Sequence, residues 1–167
     1  FNCDRVVDKM QGVYIPFWLY SGNCEGSITA EGINTRTWTS GNYRYTEKKY
    51  YSVYRNGTLD FKAVPVDASS KTDDDAMDSI EPFDYSEMTA FNPGYLSGYL
   101  AERYDEDKDK CLPRAKERIE NTTRDELRNT CNYNSVNVQS YEKHTEIKDV
   151  KYAMLPTWLL YTTYQDK

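Results

Sequence analysis

A six-residue pattern occurs twice, once near each end of the chain: Ile15-Pro16-Phe17-Trp18-Leu19-Tyr20 and Leu155-Pro156-Thr157-Trp158-Leu159-Leu160. Each copy sets a proline inside a run of strand-forming residues. Proline has no backbone N–H to give to a ladder, so a strand built from either copy must be an edge or carry a bulge there. The shared core, apolar-Pro-x-Trp-Leu-apolar, reads as structure rather than chemistry. Trp18 and Trp158 are read first as core anchors, because Phe17, Leu19, Leu159 and Leu160 flank them. Their second reading is as anchors for a partner, since tryptophan is enriched at binding hot spots.

The stretch between these copies supplies turn and helix signals. Residues 12–33 predict a hairpin turning at Ser21-Gly22-Asn23, and residues 34–46 an irregular connection or short ribbon. In residues 47–66 two β-rich runs flank Asn56-Gly57, the strongest two-residue turn signal. That turn would set Tyr54 opposite Leu59, Ser52 opposite Phe61 and Tyr50 opposite Ala63, all on the inward face. Thr72 or Asp73 would cap a short helix ending before Glu81-Pro82. Tyr95, Leu96, Tyr99, Leu100 and Tyr104 recur at helical spacing. The clearest helix is 112–131, with Pro113 at its first position and an apolar stripe of Leu112, Ala115, Ile119, Leu127 and Cys131. Thr122 or Thr123 fills the gap in that stripe. Strand alternation returns over 132–147, with Val136, Val138 and Tyr141 inward, and a last strand covers 151–164.

Strands, then helices, then strands predict an α+β fold. Antiparallel β-hairpins would form the sheet, with a helical insert at about 72–131 between the N- and C-terminal strands, all in one domain spanning 1–167. The start without methionine and the strand-like ending at Tyr164-Gln165-Asp166-Lys167 read as a piece of a longer protein.

Charge narrows the function classes. The net charge is −6 with 27 acids against 21 Lys and Arg. Nucleic-acid affinity rests on neutralising phosphates, so no direct nucleic-acid contact is expected. No apolar run reaches the roughly 18 residues of a membrane span, so no membrane contact is expected from this segment. Four cysteines, Cys3, Cys24, Cys111 and Cys131, form no close pair, and His144 is the one histidine. Zinc is therefore not expected in this chain. Without a secretory signal, reduced thiols and a cytoplasmic setting are the expectation.

Only one segment has chemical density, the acidic stretch 67–87. Asp73, Asp74, Asp75 and Asp78 are its candidate metal ligands, because calcium takes six to eight oxygens. An EF-hand also needs a loop glycine, and none occurs from 58 to 93, so a solvated helix start is the preferred reading. No nucleophile elbow and no phosphate-binding loop is present. His144 sits in a polar strand segment and reads as exposed. No catalytic residue and no cofactor site is assigned.

Several stretches resemble a family. They are Tyr14-Ile15-Pro16-Phe17-Trp18-Leu19-Tyr20, Val64-Pro65-Val66-Asp67-Ala68-Ser69, Met77-Asp78-Ser79-Ile80-Glu81-Pro82-Phe83-Asp84, Tyr95-Leu96-Ser97-Gly98-Tyr99-Leu100-Ala101-Glu102 and Leu155-Pro156-Thr157-Trp158-Leu159-Leu160. Together they are similar to uncharacterised bacterial proteins described as zinc-ribbon proteins of the transcription-factor-IIB type. Some members carry the label of the primosomal replication-restart helicase, to which no motif here corresponds. The resemblance implies a zinc ribbon upstream of the matched region and transfers no catalytic residue. The sequence alone names no activity. Its leading expectation is a non-catalytic interaction or structural domain accessory to a zinc ribbon, with an unidentified protein partner. The alternatives are a ligand- or metal-binding enzyme using 67–87, and a nucleic-acid-associated protein whose ribbons make the contacts.

Overall fold

A computed structural model describes residues 4–71, 77 and 84–165, and among these three long strands and one long helix organise the chain. The strands are β1 (Asp4–Ser40), β2 (Tyr43–Asp67), the two-residue β3 (Leu100–Ala101) and β4 (Ser135–Gln165). The helix is α1 (Lys108–Asn129). Two 3-10 turns, Tyr85–Glu87 and Pro93–Leu96, precede β3. The strand order is β2-β1-β3, and β4 also pairs with β1. The fold is α+β. The helix expected over 72–80 lies outside the described residues except for Met77, which is helical and buried.

The hairpins differ from those the sequence suggests. Neither Ser21-Gly22-Asn23 nor Asn56-Gly57 turns the chain; both lie inside continuous strands. The turn is at Gly41-Asn42, in the segment read as irregular. Gly41 takes φ +59 at the first position of a two-residue loop, as a II′ turn requires. Thr37 and Thr46 meet across it through their hydroxyls at 3.4 Å. Side-chain parity confirms that β2 runs straight through. Val53, Arg55, Gly57, Leu59 and Phe61 share the covered face, while Tyr50, Ser52 and Tyr54 are exposed. The inward face expected for the first run is thus inverted, because no turn at 56–57 resets the alternation. The sheet is also not purely antiparallel. β1 and β3 pair in parallel, with Val13 opposite Leu100 and Tyr14 opposite Ala101.

The chain divides into two compact units, one made of Phe1–Leu19, Pro65–Leu112 and Val150–Lys167 and the other of Tyr20–Val64 and Pro113–Asp149. In the second, even-numbered residues of β1 are buried from Cys24 through Ile28 to Gly32. Ile28, Ala30 and Val53 form a core with Leu127 and Cys131, flanked by Tyr133, Val136, Val138 and Tyr141. The last three take the inward places their alternation predicts. β4 runs antiparallel to β1: a Cβ on Gly22 would meet Glu146, one on Gly26 would meet Tyr141, and one on Gly32 would meet Tyr133. Glycine in a strand marks such a close approach. In α1, Ala115, Ile119, Thr123 and Leu127 are buried, a four-residue stripe facing the sheet. Thr123 satisfies its hydroxyl on the Ile119 carbonyl at 2.9 Å.

In the first unit the odd residues of β1, Val13, Ile15, Phe17 and Leu19, are buried with Val66, Ala68, Ala153 and Leu155. The Pro16 carbonyl accepts from Ala68 N at 2.9 Å. Parallel pairing with β3 stops at Tyr14, two residues before Pro16. The Ala68 carbonyl in turn accepts from Asp105 N and Glu106 N at 3.0 and 3.1 Å. Residues 95–104 do not continue as a helix; they give the end of a 3-10 turn, β3 and an irregular segment. Helix α1 opens at Lys108, not at Pro113, because Asp107 caps it. The Asp107 Oδ1 accepts from Asp109 N and Lys110 N at 3.0 and 2.8 Å. Cys111 takes the buried stripe position expected for Leu112, which is half-buried.

Candidate functional site

The two tryptophans each pack against tyrosine rings in the first unit. Tyr14, the residue before the first copy, packs on Tyr99 at 5.1 Å between centroids, and Tyr99 packs on Trp158 of the second at 5.5 Å. A Cβ on Gly12 would stand 2.5 Å from that Tyr99 ring, so only glycine leaves room for it. Trp18 is half-buried between Tyr104 and Tyr152, at 5.5 and 5.2 Å. Its Nε1 donates to the Glu106 carbonyl at 2.9 Å, which satisfies the one polar atom of the indole. Trp158 is 58% exposed. The two tryptophans therefore differ in environment, although their sequence contexts match.

Beside this aromatic run lies a cavity of about 710 Å³. Strand β1 contributes Tyr14, strand β4 contributes Tyr152, Met154 and Leu155, and the two 3-10 turns contribute Tyr85, Tyr95 and Leu96. Phe91 and Met88 come from the segment between the turns, and Asp84 and Glu87 bring two carboxylates. Both turns are held open by side-chain caps. Asp84 Oδ1 accepts from Ser86 N and Ser86 Oγ at 2.9 and 2.6 Å, and Asn92 Oδ1 accepts from Gly94 N at 2.8 Å. The Ser86 hydroxyl and amide hold the Asp84 carboxyl below the usual carboxylate range. A second cavity shares Leu96, Tyr152 and Met154 and is lined further by Glu102, Arg103 and Tyr104. Strand periodicity could have flagged Tyr152 and Met154. The turn residues carried only the Asn92-Pro93-Gly94 signal, which marks a turn and not a wall.

The acidic candidates fall differently. Asp73, Asp74, Asp75 and Asp78 lie outside the described residues. Asp67 is buried at the end of β2, where its carbonyl accepts from Cys111 Sγ at 3.6 Å. Asp105 is held by Ser70, whose N and Oγ donate at 2.8 and 2.7 Å and lower the carboxyl pKa. Glu106 accepts from Lys110 at 2.6 Å. These acids tie loops together rather than converge. Among the described residues no group of three or more His, Cys, Asp or Glu could hold a metal ion. His144 is exposed on β4, and the thiols of Cys24, Cys111 and Cys131 are buried. Among the described residues no helix is long and apolar enough to cross a membrane.

The site is thus an aromatic-walled cavity on a mixed sheet, in an α+β chain. The chain is 35% identical over 165 residues to a protein of Bacillus subtilis (strain 168) named Uncharacterized protein YdjG. The match takes in 98% of this chain and 48% of that protein, so the chain spans about half the length of the curated relative it matches. No family model and no solved structure matches it.

Proposed function

We propose that the chain is a non-catalytic binding domain of a longer bacterial protein, receiving a ligand in the aromatic cavity of its first unit. The observation that carries this reading is the cavity itself. Its volume of about 710 Å³ is that of a small-molecule site. Its walls come from two strands and two capped turns, elements that hold a shape before a ligand arrives. Exposed rings such as Tyr95 and Phe91, at 53% and 63%, offer apolar area that binding would remove from water. The resemblance to zinc-ribbon proteins supports an accessory role beside a metal-bearing ribbon, and the three buried thiols suit a cytoplasmic setting.

A thermal-shift screen of small ligands, run on the chain and on Tyr95→Ala, tests the reading. A ligand present at 100 times its Kd adds about 2.7 kcal/mol of stability. The expected result is a raised midpoint that Tyr95→Ala abolishes. Substrate turnover by the chain would overturn it. Zinc analysis of the full-length protein beside this segment tests the ribbon association, with metal expected in the former alone.

A further inference from the structure

We propose that the first-unit cavity is a receptor for a small organic cation, an alkylammonium head on an apolar body; this rests on reading the cavity as a binding site. Five aromatic rings line it: Tyr14, Tyr85, Phe91, Tyr95 and Tyr152. An aromatic face carries the negative part of the ring quadrupole and attracts a cation within about 6 Å. The charged side chains among the described lining residues are Asp84 and Glu87, both anionic, and none is Lys, Arg or His. Arg103 lines the neighbouring cavity and not this one, together with Glu102.

Charge decides between ligand classes. A carboxylate or phosphate ligand would face two like charges with no cation among the described lining residues to offset them. A neutral ligand would cover two carboxylates without compensating their lost water. An ammonium answers both, and Asp84 stays ionised at neutral pH because Ser86 hydrogen-bonds its charged form. Quaternary heads suit rings better than a hydrogen-bonding pocket, since they have no N–H to donate. Leu96, Met154 and Leu155 then provide apolar wall for a hydrocarbon body. The cavity volume of about 710 Å³ favours a free small molecule over a peptide segment.

Calorimetric titration of the chain with three hexyl probes tests this: hexyltrimethylammonium, hexan-1-ol and hexanoate. The ammonium should bind about tenfold more tightly than the alcohol, and hexanoate more weakly than either. Asp84→Asn, which keeps a capping side chain, and Glu87→Gln should each shrink the preference for the cation. Tyr95→Leu, which keeps bulk and removes the ring, should do the same. Equal binding of ammonium and alcohol, or preference for hexanoate, would overturn the cation assignment while leaving a binding cavity. Ammonium binding untouched by all three substitutions would move the site elsewhere. No binding of any probe by folded protein would overturn the cavity reading as well.

Discussion

The Tyr141 hydroxyl on β4 donates a 2.8 Å hydrogen bond to the Glu120 backbone carbonyl on α1. The same oxygen stands 3.9 Å from Cys24 Sγ on β1, and Thr145 Oγ1 reaches both that sulfur, at 3.4 Å, and the Glu120 carboxylate, at 3.0 Å. One phenol therefore links both strands to the helix. Burial, and then the neighbouring Cys24, push its pKa well above the usual tyrosine value. Tyr141→Phe should cost about 1 kcal/mol, the net worth of a hydrogen bond. The raised pKa has a sign. The unfolded phenol ionises near pH ~10, so the folded state holds its proton longer. The stabilisation is whole below that pH and is lost as pH rises from there towards the folded pKa. Urea unfolding between about pH 9 and about pH 11 should therefore show the native chain losing more stability than Tyr141→Phe. Parallel losses in the two would remove Tyr141 from this role.

Gly22 has no space for a side chain. A Cβ there would lie 2.0 Å from the Glu146 carbonyl oxygen, so β1 and β4 would have to part. Gly22→Ala should destabilise by about 3 kcal/mol, the upper part of the overpacking range. Gly57→Ala is the contrasting case. Its Cβ would meet Leu127 Cδ2 at 3.5 Å, an ordinary contact, and strand backbone favours alanine. That substitution should be neutral or stabilise by up to about 1 kcal/mol. A large loss at Gly57 would instead reinstate a tight turn there. Denaturant titration of both variants reads the difference.

How far the sequence carried can be seen at these two glycines. Ser21-Gly22-Asn23 and Asn56-Gly57 have turn chemistry, and local rules assign them to turns. Each lies within a strand instead, and at Gly22 the glycine serves the close approach of another backbone. Nothing within a few residues distinguishes the two uses. A distant residue does so for Gly22, the Glu146 backbone. The helix was legible because its stripe is a local period, and so were Val136, Val138 and Tyr141. The cavity was not, since Tyr14, Tyr95 and Tyr152 become neighbours only through pairings about 60 to 140 residues apart in sequence. A shared Pro-x-Trp-Leu core also gave unlike sites: Trp18 found the Glu106 carbonyl, whereas Trp158 stayed largely in solvent.

Helix α1 should depend on Asp107. Its Oδ1 takes the amides of Asp109 and Lys110, two of the donors that the first turn leaves without a helical acceptor. Pro113 has no N–H, so the turn before it already lacks one internal bond. Asp107→Ala should cost about 1 kcal/mol or somewhat more, and Asp107→Asn a few tenths. Far-ultraviolet circular dichroism during thermal unfolding separates them. Equal losses would mean that the aspartate's charge, and not its capping oxygen, is what matters.

Ala63 adopts φ +56, a left-handed conformation that its Cβ disfavours. Its N–H leaves the regular ladder and donates to Ser21 Oγ at 3.0 Å. Two consequences follow from that geometry and have opposite signs. Ala63→Gly removes a steric penalty of about 1–2 kcal/mol and adds about 0.5–1 kcal/mol of unfolded-chain entropy. The net expectation is a gain of about 0.5–1 kcal/mol. Ser21→Ala takes the acceptor away from a half-buried amide and should cost about 1–2 kcal/mol. If the serine bond holds the bend, the double variant should lose less than the sum of the two single changes, because glycine lets the strand relax around the missing acceptor. A double-mutant cycle by urea unfolding measures that coupling, and strictly additive changes would show that Ser21 does not set the conformation of Ala63.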